Sequence, residues 1–122
     1  VSAAVDTALA ALAAGMSIDD DDRADVTRVV DTVESLMADW GFALTDDRRL
    51  ALAAHSLAFT RRIRTREQLP EIDLDDFPEI PEETVSGLRL ALIPYCSARD
   101  SGLADEEVLL FAMHVEVARI TP

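Results

Sequence analysis

Apolar positions along this chain recur at helical spacing and are cut by a few sharp breaks. Residues 24–40 carry the clearest stripe: Val26, Val29, Val30, Val33, Leu36, Met37 and Trp40 fall on one face of a 3.6-residue repeat. Gly41 stops it, and after FALT a second start follows at Thr45 or Asp46. Residues 46–66 are apolar on two sides, through Leu50, Ala53, Ala54 and Leu57 and through Leu52, His55, Phe59 and Ile63. Two apolar sides predict a central position in a bundle. Residues 69–81, LPEIDLDDFPEIP, hold three prolines and read as a connector.

Pro81 then opens a helix, with Glu82 and Glu83 in its first turn and Val85, Leu88, Leu92 and Tyr95 on its face. Pro94 is expected to kink or end it, and Gly102 to close the following turn. A last helix over about 104–120 runs through Val108, Leu110, Phe111, Val115 and Val117. Ahead of all this, residues 2–14 form a short alanine-rich helix with Val5, Leu9 and Leu12 aligned, followed by the acidic break SIDDDD at 17–22. No segment alternates at period two. The expected fold is an all-α, compact bundle of about five helices. Residues 1–22 read as an N-terminal extension with an acidic linker, and 23–122 as the bundle domain.

Composition narrows the function classes. The chain has 122 residues, 49% of them hydrophobic but only 5% aromatic, enough for one domain with an Ala, Leu and Val core. Its net charge of −13 argues against direct binding to nucleic acid or anionic membrane and suits a basic partner surface. Cys96 is alone, so no disulfide framework exists, and a reducing cytoplasm is the expected compartment. The first fifteen residues contain Asp6 and no basic start, so they are read as neither signal peptide nor membrane span. The four aspartates of 19–22 lack the spacing and central glycine of a calcium loop.

Chemistry concentrates on the two histidines, His55 and His114, 59 residues apart and each in an apolar helical stretch. On the 46–66 helix Arg62 lies seven residues after His55, about 20° short of two full turns and roughly 10 Å along the axis. On the last helix Glu107 precedes His114 by the same seven residues. A buried structural histidine, a metal or enzymatic site using the pair, and a phosphoryl acceptor all remain open on this spacing. RRIRTR at 61–66 is the one basic cluster; Arg61, Arg62 and Arg64 either complement a helix C-terminus or face an acquired anion or acidic partner.

At these residues the chain resembles the phosphotransferase-system regulation domain, PRD, of bacterial antiterminators and transcription activators. LAAHSLAFTRRI is similar to the family's first histidine motif, with His55 and Arg62 at its histidine and arginine. DEEVLLFAMHV is similar to the second, with Glu107 and His114. The stretch Pro81–Glu83 followed by Gly87 and Leu88 resembles the middle segment, and the likeness spans roughly 26–120. It implies a helical bundle without cofactor, reversibly phosphorylated on His55, His114 or both, with Arg61, Arg62 and Glu107 in support. The implied donor is HPr or an enzyme II B component, the implied assembly a homodimer, and the implied role sugar-responsive control of gene expression. Ala54 stands where the family often has an acidic residue, which favours His114 over His55. The chain carries no accompanying nucleic-acid-binding segment, so a non-phosphorylated adaptor with the same fold is the alternative.

Overall fold

The computed structural model describes residues 3–69, 73 and 79–120. Five helices follow one another: α1 (Ala3–Ala13), α2 (Asp20–Asp39), α3 (Asp46–Thr65), α4 (Glu82–Ser97) and α5 (Asp105–Ile120). There is no strand among the described residues, so the all-helical expectation holds. Most of the proline-rich connector expected over 69–81 lies outside the described residues.

The ends of the helices follow from local chemistry. Asp19 caps α2 by accepting from the Asp22 amide at 2.8 Å, while the Asp22 carboxylate accepts from the Asp19 amide at 3.2 Å. This reciprocal box, with three aspartates in the first turn, starts the helix at Asp20, inside the stretch expected to be a break. At the other end Gly41 adopts φ 88°, and the Gly41 and Phe42 amides return to the carbonyls of Ala38 and Met37. Only a residue without Cβ enters that left-handed turn at no steric cost. Thr45 caps α3 through the Arg48 amide. Pro94 lies inside α4 rather than ending it. Proline has no amide hydrogen, so one helical bond is missing, but the exposure of Leu90 and Pro94 lets water meet the freed carbonyl.

Helix α3 packs on α1, α2 and α5, which explains its two apolar sides. Leu52, Ala53, Leu57, Phe59 and Ile63 are buried, whereas Ala54 is exposed. Helix α4 bridges α2 and α5. Val26, Val29, Val30, Val33 and Met37 supply the α2 face, and Val108, Phe111, Ala112 and Val115 the α5 face. Val117, expected on the α5 core face, is exposed, and Ala118 is buried beside that face instead. Helix α1 is built into the same core: Val5 and Leu9 are fully buried and the helix lies on α3 and α2.

Gly87 sets how closely α4 approaches α2. A Cβ at that position would fall 2.7 Å from Cζ2 of Trp40, inside van der Waals contact. The absence of a side chain therefore lets the indole edge lie against the α4 backbone.

Candidate functional site

The seven-residue spacings on α3 and α5 become a ladder once the helices pack. The His55 and His114 rings stack with centroids 5.2 Å apart and planes at 24°. Phe59 and Phe111 meet edge to face at 5.1 Å, and Phe111 also meets the His55 ring at 4.4 Å. Beyond them the Arg62 guanidinium grips Glu107 with two bonds, Nε to Oε2 at 2.9 Å and Nη2 to Oε1 at 2.7 Å. Each step forward along α3 is matched by a step back along α5, so the helices run antiparallel in this register. The histidine and ion-pair rungs lie about 10 Å apart along the axis.

All four residues singled out by spacing, His55, His114, Arg62 and Glu107, thus share one seam. The partners are crossed: neither histidine touches the charge on its own helix, and the two charges satisfy each other. The fork is nearly dry, with the side chains of Arg62 and Glu107 17% and 7% exposed. Removing either partner would leave the other charge enclosed without compensation.

Both imidazoles are half-buried and neutral near pH 7. Burial, then the neighbouring His114 and Arg62 charges, pulls the His55 pKa from 6.5 down to about 3. Burial lowers His114 as well, with Arg48 adding to it. Arg48 lies seven residues before His55 as Arg62 lies seven after, so positive charge brackets the histidine rung along α3. His55 Nε2 is sealed from solvent and has no hydrogen-bond partner among the described residues. An unpaired buried nitrogen costs stability, which makes this the strained point of the seam.

Arg61 and Arg64 are used elsewhere. Arg61 reaches the buried Asp22 of α2 through Nε at 3.2 Å and Nη2 at 2.8 Å, and also donates to the Ser17 carbonyl at 2.7 Å. Arg64 holds Asp22 at 3.1 Å and Asp25 at 2.9 Å. Those hydrogen bonds, from Arg61 above all, lower the Asp22 pKa to about 2 against the opposing effect of burial. Arg61, expected to support the histidines, instead fastens α3 to the start of α2. The signal for this clamp lies in charge patterning: the basic cluster at 61–66 answers the longest acidic run, 19–22.

Among the described residues no group of three or more His, Cys, Asp or Glu is arranged to hold a metal ion. Cys96 is buried, and burial with the nearby Glu107 pushes its thiol pKa up, so it is a protonated core residue rather than a reactive thiolate. No described helix is long and apolar enough to cross a membrane.

The fold and the seam define a class: a five-helix bundle whose third and fifth helices present two stacked, neutral histidines. No protein-family model, curated protein or solved structure matches the chain.

Proposed function

We propose that the chain is a PRD-like regulatory module that accepts a phosphoryl group on a histidine of the α3–α5 seam. The observation that carries this reading is the stacking of His55 on His114 with both rings held neutral. A neutral imidazole has a nitrogen lone pair free to attack phosphorus, whereas a protonated one has none. In the transfer the N–P bond of a donor phosphohistidine breaks as the new N–P bond forms. The donor leaves as neutral imidazole carrying a proton on its second ring nitrogen, matched by the proton that the acceptor's second ring nitrogen gives up, and no other reactant is needed. HPr or an enzyme II B component is the donor class implied by the likeness to the PRD family.

His114 is the favoured acceptor. Its motif is the better match, and Nε2 of His55 is sealed inside the seam. A phosphoryl group brings about two negative charges near neutral pH. Between rings 5.2 Å apart, that charge is incompatible with the present stack and draws on the flanking guanidiniums. Arg62 would be contested between Glu107 and the phosphoryl group, which couples modification to the α3–α5 contact. Leu90 and Ile120, both 72% exposed, offer apolar surface on α4 and α5 for the homodimer such a switch would act through.

The test is incubation with phosphoenolpyruvate, enzyme I and HPr, with and without an enzyme II B component. Acid-labile, alkali-stable label that disappears in His114→Ala supports the reading. An unlabelled protein, with donors proven active on another acceptor, refutes it. A second reading, an adaptor that is not phosphorylated, is favoured by one observation: Arg61, Arg62 and Arg64 are all already bound to carboxylates. Partner capture that is the same in the His55→Ala/His114→Ala protein would favour that adaptor.

A further inference from the structure

A transfer to His114 makes no use of His55, yet the His55 ring is closely held. The edge of Phe111 meets it at 4.4 Å, and the His114 ring stacks on it at 5.2 Å. Phe111 is set in turn against Phe59 at 5.1 Å, and both phenylalanines are fully buried. Core residues therefore fix the imidazole in place. Burial is the leading cause that keeps it neutral, so it carries a single ring proton. A neutral imidazole offers a donor on one nitrogen and an acceptor on the other. Of the seam's buried polar side-chain atoms, Nε2 of His55 is the one left without a partner among the described residues. In either tautomer that unmade bond costs stability, and leucine would fill similar space without the cost.

The facing ring supplies a partner once it is modified. The two rings are 5.2 Å apart with planes at 24°. A phosphoryl oxygen standing off a His114 nitrogen, together with a hydrogen bond of about 2.9 Å, spans a gap of that size. The cations of the basic cluster are engaged already. Arg62 holds Glu107 with two bonds, and Arg61 and Arg64 hold Asp22 and Asp25 on another face of α3.

We propose that His55 is not a second acceptor but the hydrogen-bond donor that holds the phosphoryl group once His114 carries it. Nε2–H of His55 donates to a phosphoryl oxygen, and the proton stays on His55, so no covalent bond is made or broken in this step. The dianion fixes the ring in its Nε2–H tautomer. The face-to-face stack gives way to a charge-assisted hydrogen bond, which satisfies the nitrogen that the unmodified seam leaves unpaired. This inference rests on the phosphorylation proposed above and assigns the two histidines unequal roles in it.

The experiment equilibrates the full chain, as wild type, His55→Leu and His55→Gln, with limiting phosphorylated HPr. Phosphorus NMR reads the phosphorylated fraction, and ring-nitrogen NMR follows His55. In the wild type, phosphorylation should bring the His55 Nε2–H signal downfield and protect it from exchange. Leucine removes the donor, so the ratio of phosphorylated to unmodified protein at equilibrium should fall about tenfold, the loss of one charge-assisted hydrogen bond. Glutamine, whose side-chain amide also donates, should restore most of that ratio. Unmodified His55→Leu should melt no lower than wild type, which separates a lost donor from a damaged fold. A wild type labelled on His114 whose His55 nitrogens do not change, or equal occupancy in wild type and His55→Leu, would overturn this inference and leave the acceptor reading standing. An unlabelled wild type removes both.

Discussion

Lowering the pH should destabilise this protein through His55 well before its carboxylates titrate. The folded pKa of about 3 lies below the unfolded 6.5, so between those values the unfolded chain binds more protons. Stability therefore falls as pH drops through 6.5 and continues to fall towards 3. Linkage gives a loss of about 2 kcal/mol between about pH 7.5 and pH 5 from His55 alone. His114 shifts the same way and adds to it. Urea unfolding at the two pH values measures the loss, and His55→Gln isolates it, since the glutamine cannot titrate. The wild-type loss should exceed that of the variant by about 2 kcal/mol. Equal pH dependence in the two proteins, or a His55 that titrates near 6.5 by NMR, would refute the buried neutral stack.

Three further outcomes follow from the packing. Glu107→Gln leaves Arg62 buried without its countercharge and should cost about 3 kcal/mol, seen as a melting temperature lower by about 10 °C; Arg62→Met with Glu107→Leu should recover most of that loss. The Asp22 clamp has the opposite pH window from the histidines: its folded pKa of about 2 is below 3.8, so its contribution is complete above 3.8 and lost as pH falls through 2. That contribution is about 2 kcal/mol at most, trimmed by water at the half-exposed arginines, and Asp22→Asn should flatten the acid limb of a stability profile by that amount. Gly87→Ala drives a Cβ into Trp40, so overpacking of about 1–3 kcal/mol outweighs a helix-propensity gain of about 1, and the tryptophan emission should shift with the loss.

Much of this was legible before folding because helical periodicity is a local property. The stripe Val26 to Met37, the stop at Gly41 and the two-sided α3 each depend on neighbours within two turns. The pairs His55 with Arg62 and Glu107 with His114 were visible for the same reason, as faces of single helices. Their crossing was not. It depends on the antiparallel register of α3 against α5, set by Phe59 and Phe111 in the core between the rungs. Residues 1–22 looked like an extension because α1 is short and the aspartates are polar. Helix α1 is buried through Val5 and Leu9, and of the four aspartates only Asp22 is buried, held by partners about 40 residues away, Arg61 and Arg64, which clamp the helix start that Asp19 caps. The likeness to the PRD family implies a supporting role for Arg61 at the histidines. One helical position, a rotation of about 100°, separates it from Arg62 and sends it to α2.

The central claim is that a seam histidine carries a phosphoryl group. Phosphorus NMR of the protein after reaction with phosphoenolpyruvate, enzyme I and HPr tests it most directly. One phosphoimidazole resonance is expected, present in His55→Ala, absent in His114→Ala, and lost on mild acid treatment. No phosphoimidazole resonance from a folded wild-type protein, with donors active on a control acceptor, would contradict it.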